Sequence, residues 1–126
     1  MAKVRDQMTS NVVTIDTGAS VVDAAKTMIQ QEKGPLPVME GDRPVAIVTD
    51  RDLVAHVIAE GRDVRSISVD DVASRDLVTI GPDQEIDEAR RLMAQNELDR
   101  VIVIEDDRLV GIISEADIRS DEAPLR

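Results

Sequence analysis

The chain contains no cysteine and no phenylalanine, tyrosine or tryptophan. The first absence excludes disulfides, thiol catalysis and cysteine-ligated zinc. The second leaves Val, Ile, Leu, Met and Ala as the only side chains for a core, and removes the aromatic partner on which a bound base could stack. Basic charge is scarce as well: 15 Lys and Arg stand against 26 Asp and Glu, a net charge of −11, which repels phosphate backbones and anionic lipid at long range. Neither nucleic acid nor membrane is expected as a partner. Solubility or a high-salt adaptation accounts for such a surface without any acid-specific partner. No window approaches the ~18 apolar residues of a membrane span, and the opening Met1-Ala2-Lys3-Val4-Arg5-Asp6 has no apolar leader. A cytoplasmic location is expected.

What is present is one unit written twice: the stretch from Val4 recurs 65 residues later from Val69, without a gap. Half of a 126-residue chain buries too little surface to stand comfortably alone, so two copies should support each other. In the first copy Asn11–Ile15 reads as a strand, Asp16-Thr17-Gly18 as a turn, and Val21, Ala24, Ala25, Met28 and Ile29 as the apolar face of a helix opened by Ser20 and Asp23. Gly34-Pro35 breaks that helix. Leu36–Met39 and Val45–Val48 then form a hairpin around Glu40–Arg43, and a second helix runs from Arg51 to about Glu60, ended by Gly61. The second copy repeats the plan with Leu77–Ile80, a helix carrying Ile86, Ala89 and Met93, Val101–Ile104, a turn at Glu105–Arg108, and Leu109–Ile113. The expected fold is α+β, two βαββα repeats (1–62 and 63–126) packed as a pseudo-twofold pair, with a frayed tail from Asp121 to Arg126. Most identities between the copies, such as Val13/Val78, Met28/Met93 and Val38/Val103, report a shared aliphatic core.

The informative match is polar. Thr49-Asp50-Arg51-Asp52 and Ser114-Glu115-Ala116-Asp117 each place a hydroxyl and, three residues on, an aspartate directly after an apolar strand. Two readings of this spacing stand. Ser/Thr-x-x-Asp approximates a capping box that satisfies two orphan backbone donors. Equally, a strand end feeding a helix N-terminus favours anions, and an aspartate there can accept the vicinal hydroxyls of a ribose. Thr14 and Thr79 recur as polar residues in otherwise apolar strands. Arg51 and Arg100, taken alone, read as solvated surface side chains. His56, the single histidine, has no nucleophile pattern around it and reads as a surface residue. The acidic clusters Asp70-Asp71 and Glu105-Asp106-Asp107 lack a calcium-loop pattern and read as turns and helix starts. No catalytic residue and no metal set is expected.

The order and duplication of these motifs, Val-Thr-Ile strands at 13–15 and 78–80, Leu36-Pro37-Val38 with its degenerate counterpart Val101-Ile102-Val103, and the two Ser/Thr-x-x-Asp endings, resemble a tandem pair of CBS domains over nearly the whole chain. The resemblance implies a non-catalytic regulatory module that needs no cofactor. It would bind an adenosine-containing ligand (AMP, ADP, ATP, NAD or S-adenosylmethionine) in clefts between the repeats, form a homodimer and signal to an effector protein. It assigns Asp52 and Asp117 to the ribose, Thr49 and Ser114 to ribose or phosphate, Thr14 and Thr79 to the strand framing the adenine, and Arg100 to the ligand phosphates, with Arg51 as a second phosphate candidate. The alternative it leaves is a dimerisation or docking module with vestigial ligand sites. The copies differ at Ala46 against Gly111, where a methyl would narrow a ligand's approach, and at Pro35 against Arg100, so the two clefts are not expected to be equivalent.

Overall fold

A computed structural model of the chain describes residues 2–122, without the side chains of 119–122. The last four residues of the expected frayed tail lie outside the described residues. In chain order the elements are α1 (Val4–Gln7), β1 (Ile15–Asp16), α2 (Val21–Gln31), β2 (Leu36–Glu40), β3 (Arg43–Val48), α3 (Asp50–Leu53) continuing into a π-helical turn (Val54–Ile58), 3-10 turns at Val64–Ser66 and Val69–Asp71, β4 (Thr79–Ile80), α4 (Ile86–Asn96), β5 (Arg100–Glu105), β6 (Arg108–Ser114) and α5 (Glu115–Glu122). The fold is mixed α+β, with two three-stranded sheets ordered β1-β2-β3 and β4-β5-β6. In each, the first pair is parallel and the second is an antiparallel hairpin with a register shift at Val38/Met39 or Val103/Ile104.

The compact units do not follow the repeat boundary at 62/63 that the sequence indicates. One, the central unit, is Val13–Leu77; the other, the terminal unit, joins Met1–Val12 to Val78–Arg126. The opening segment of each repeat is thus built into the unit formed by the other repeat's strands. Val4 and Val69, 65 residues apart, are each fully buried, one in the terminal core and the other in the central core. The backbone bonds holding the two segments also match. Val4 N–H donates to Gln84 O and Val69 N–H to Ala19 O, at 2.9 and 2.8 Å. Further on, Thr9 exchanges two hydrogen bonds with Ile112, and Ser74 two with Ile47, adding an antiparallel bridge to the outer edge of β6 and of β3. In the terminal unit Arg5 also pairs with Asp83 at 2.7 Å, and this hydrogen bond raises the arginine pKa above its ordinary value.

Three local expectations are corrected. The strand expected over Asn11–Ile15 is only Ile15–Asp16, leaving Thr14 one residue ahead of it, whereas Thr79 opens β4. The chemistry of β2 explains the difference: Ile102 N–H donates to Val78 O at 3.3 Å, and the equivalent residue, Pro37, has no N–H to give. The second helix of the first repeat starts at Asp50, but its latter half widens into a π turn, with Ala59 N–H bonded to Val54 O. That turn directs only Val57 (2% exposed) into the core and leaves Val54 and Ile58 outside. Ile29, expected on the buried face of α2, is exposed, while Val21, Ala24 and Met28 carry the packing.

The contrast between Ala46 and Gly111 has a packing cause. A Cβ on Gly111 would lie 2.6 Å from the Met8 sulfur and 2.9 Å from Thr9 O, because the opening segment crosses β6 there. In the central unit the residue equivalent to Met8 is Ala73, packed beside the core that contains Ala46. A large residue lies against the glycine in the terminal unit, and the equivalent position in the central unit is a small one. Gly111→Ala should therefore cost about 1–3 kcal/mol of stability from overpacking. Met8→Ala added to it should recover a measurable part of that loss, so that denaturant melts of the four chains in this double-mutant cycle show a favourable coupling.

Candidate functional site

Residues paired across neighbouring strands point to the same face of a sheet. In the terminal unit, Val101, Val103, Ile113 and Ile80 face the helix-packed core and are buried. The opposite face is set by the pairs Arg100↔Ser114, Ile102↔Ile112 and Thr79↔Ile102. Arg100, Ser114 and Thr79 therefore share one face, with Ile102 and Ile112 between them as an aliphatic floor. In the central unit Pro37↔Ile47 occupies the matching row, with Thr49 following on β3 and Thr14 just before β1. Thr14 is half-buried and Thr79 exposed.

At the end of each hairpin the chain turns into a helix through a closed pair of hydrogen bonds. Asp52 N–H donates to Thr49 Oγ1 at 3.2 Å, and Thr49 N–H donates to Asp52 Oδ2 at 2.8 Å. Ser114 and Asp117 repeat the arrangement at 3.2 and 3.0 Å. The capping reading is thus realised in both units. It does not use up the carboxylates, because each Oδ2 serves the cap while Oδ1 makes no hydrogen bond among the described residues. A carboxylate offers about four lone-pair sites, so each half-buried aspartate keeps acceptor capacity for two hydroxyl donors from outside. The fold places it beside a hydroxyl on the same strand end.

The arginines do not occupy equivalent places. Arg100 opens β5, is half-buried, and pairs with Asp99 at 2.9 Å; Asp99 also accepts the Glu115 N–H through its backbone carbonyl, also at 2.9 Å. Arg51 lies exposed on the first turn of α3, where the terminal unit has Ala116. Asp99 was not identifiable as a site residue from sequence, since only the register that sets Arg100 opposite Ser114 brings it to this corner. His56 is exposed, 3.9 Å from Glu60. Asp70 accepts the Gly18 N–H at 2.7 Å, and Asp71 the Ser68 N–H at 3.0 Å, as turn and helix-start residues do. No group of three or more His, Asp or Glu side chains suited to a metal ion occurs among the described residues. No helix among them is long and apolar enough to cross a membrane.

The chain is similar to known proteins in sequence and in fold. The CBS domain-containing protein YhcV of Bacillus subtilis is 34% identical over 118 residues, covering 94% of this chain and 84% of its own. The CBS domain pair of protein MJ0100, solved in complex with 5-methylthioadenosine and S-adenosylmethionine, superposes with a TM-score of 0.84 at 25% identity, over 96% of this chain and 99% of its own. A hexameric CBS-CP12 protein from bloom-forming cyanobacteria superposes with a TM-score of 0.83 at 34% identity, covering 99% of this chain and 77% of its own. The family model for the CBS domain matches twice, at residues 2–59 and 69–122, and on that match, with the duplicated strand-to-helix corner above, the chain belongs to the CBS domain family.

Proposed function

We propose that the protein is a non-catalytic regulatory module of the cytoplasm that binds an adenosine-containing ligand through the corner described in each unit. Asp52 and Asp117 accept the ribose hydroxyls, Thr49 and Ser114 lie beside them at the sugar or phosphate, and Thr14 and Thr79 frame the base, whose edge is read by backbone groups. The observation that carries this reading is the carboxylate oxygen left over from each capping box, aimed from a half-buried position next to a hydroxyl. The adenosyl ligands held by the MJ0100 pair support the chemical class. The ligand acts by differential affinity for one arrangement of the chain, which a partner protein or a homodimer then reads.

The two sites are unequal under this reading. Arg51 serves the central unit and Arg100 the terminal one, and only Arg100 is paired with a neighbouring carboxylate.

A thermal-shift panel of AMP, ADP, ATP, NAD and S-adenosylmethionine tests the proposal. A ligand at about 100 times its dissociation constant should add ~2.7 kcal/mol of stability, and no shift with any of the five would refute the class. Because the chain has no aromatic side chain, retained nucleotide would also absorb near 260 nm without protein background.

Asp52→Asn and Asp117→Asn separate the cap from the ligand contact. An amide oxygen can still accept the Thr49 or Ser114 N–H, while the amide nitrogen presents donors to the ribose where the carboxylate accepted. Stability of the free variants should stay within about 0.5 kcal/mol of the parent. Ligand affinity should fall by roughly tenfold or more per site, the loss of a hydrogen bond to a charged acceptor. Unchanged affinity in both variants, measured by calorimetry, would remove the aspartates from the site.

A further inference from the structure

Arg100 meets the open face of the terminal sheet already paired. Its Nη2 lies 2.9 Å from Asp99 Oδ1, with the arginine side chain 28% exposed and the aspartate 62%. Both halves of the pair are held in place. Arg100 is fixed on β5 by its register opposite Ser114, and Asp99 by its backbone carbonyl, which accepts the Glu115 N–H at the start of α5. The central unit does not repeat this pair, because its equivalent residues are Gly34 and Pro35. A Cβ on Gly34 would stand 3.2 Å from Asp50 Oδ1, so the space beside the central corner is already taken by a carboxylate of α3.

The ion pair leaves capacity on both partners. A guanidinium has several N–H donors and a carboxylate about four acceptor sites, and the contact draws on one nitrogen and one oxygen. What remains is a positive donor array beside a negative acceptor, at the end of the row on which Ser114 stands. That is the complement of an α-amino-acid group, which carries a carboxylate and an ammonium on one carbon. Docked against the pair, its carboxylate takes the remaining N–H groups of Arg100 and its ammonium takes Asp99, closing a ring of alternating charges. A phosphate meets the same corner differently. It gains Arg100 but lies near Asp99 and Asp117 as like charges, in a chain of net charge −11.

We propose that Asp99 and Arg100 form a subsite for an α-amino-acid group on the 5′ side of the adenosyl ligand, with Asp99 the residue that sets this choice against a phosphate. The proposal rests on the adenosyl reading of the Ser114–Asp117 corner and specifies the ligand class there: an adenosine whose 5′ substituent ends in an amino acid. Ser114 lies at the sugar or phosphate in that reading, so Arg100, its cross-strand partner, is the cation within reach of the 5′ substituent. Selectivity arises as a difference, from attraction of the ammonium together with repulsion of the phosphate by one and the same carboxylate. The central corner has neither half of the subsite and makes no such distinction.

Four probes separate the groups involved. S-adenosylmethionine has the amino acid and a sulfonium charge, S-adenosylhomocysteine the amino acid without that charge, 5′-methylthioadenosine neither, and AMP a phosphate. Titration calorimetry on the full chain carrying Asp52→Asn, which under the reading above weakens the central corner, reports the terminal one. Both amino-acid compounds should bind roughly tenfold tighter than 5′-methylthioadenosine and AMP, the worth of a hydrogen bond between charged groups. Adding Asp99→Asn should weaken S-adenosylhomocysteine by about tenfold, leave 5′-methylthioadenosine unchanged and tighten AMP by about threefold. A structural defect would weaken all of them alike, so the opposite signs mark selectivity. Asp99 is exposed, and the melting temperature of the free variant should stay that of the parent. The subsite would be overturned, with the adenosyl reading left standing, by 5′-methylthioadenosine or AMP binding the Asp52→Asn chain as tightly as S-adenosylhomocysteine. Changes of the same sign for S-adenosylhomocysteine and AMP on Asp99→Asn would do the same, as would binding by the parent that Asp52→Asn abolishes. No binding of any of the four to the parent would overturn the adenosyl reading, and the subsite with it.

Discussion

A core without aromatic rings must be closed by many small aliphatic side chains in close register, and in this protein the closing residue of each unit arrives from far along the chain. Val4 and Val69 are fully buried, and each is tied to its unit by the same backbone bonds, repeated at an offset of 65 residues. The segments carrying them then run on to bridge the outer hairpin strand, Thr9 to Ile112 and Ser74 to Ile47. Those bridges fall two residues before Ser114 and Thr49. The device that completes the core therefore also braces the strand end from which each capping box begins, and it constrains composition locally, as Met8 over Gly111 shows. A repeat cut at residue 62 would lack the Ser68–Ser74 segment that its own strands require.

With the strand ends braced, the capping box takes on a second capacity. A side-chain amide could also close the cap, although a carboxylate makes the stronger, charge-assisted bond at a helix N-terminus. The carboxylate differs in having a second acceptor oxygen with no competing donor of its own. The cap occupies one oxygen of the side chain and leaves the other for the ligand of the proposed reading. The two readings of the Ser/Thr-x-x-Asp spacing are for this reason compatible.

Sequence periodicity exposed the duplication, the hairpins, α2 and α4, and the two capping corners, because each rests on local signals: β-branched runs, turn residues and a hydroxyl three residues from an aspartate. The features it could not place depend on partners distant in the chain. Nothing near Val4 or Val69 indicates which set of strands they complete, so repeat boundaries and compact units differ. Thr14 and Thr79 look equivalent in sequence, yet the missing amide of Pro37 shortens one ladder and not the other. Gly111 looked like room for a ligand until the Met8 crossing accounted for it. The exposure of Ile29 was hidden because an apolar residue at a helical spacing carries the same signature whether it faces a core or solvent. A comparison of Ile29 with Ala94 and of Ala25 with Arg90 was the one signal available.

Inequality between the two corners follows from where each unit keeps its cation. A phosphate approaching Arg100 must compete with Asp99, held 2.9 Å away, and the nearby carboxylate of Asp117 adds like charge to the incoming anion. An adenosyl group without phosphate, or with a compensating positive centre, meets no such competition and can leave the Arg100–Asp99 pair intact. Arg51 is exposed and flanked in sequence by Asp50 and Asp52, and a phosphate reaching it gains an attraction that solvent screens. Under the proposed reading the two corners therefore offer an incoming phosphate different competition, an ion pair at Arg100 in the terminal unit and solvent at Arg51 in the central one.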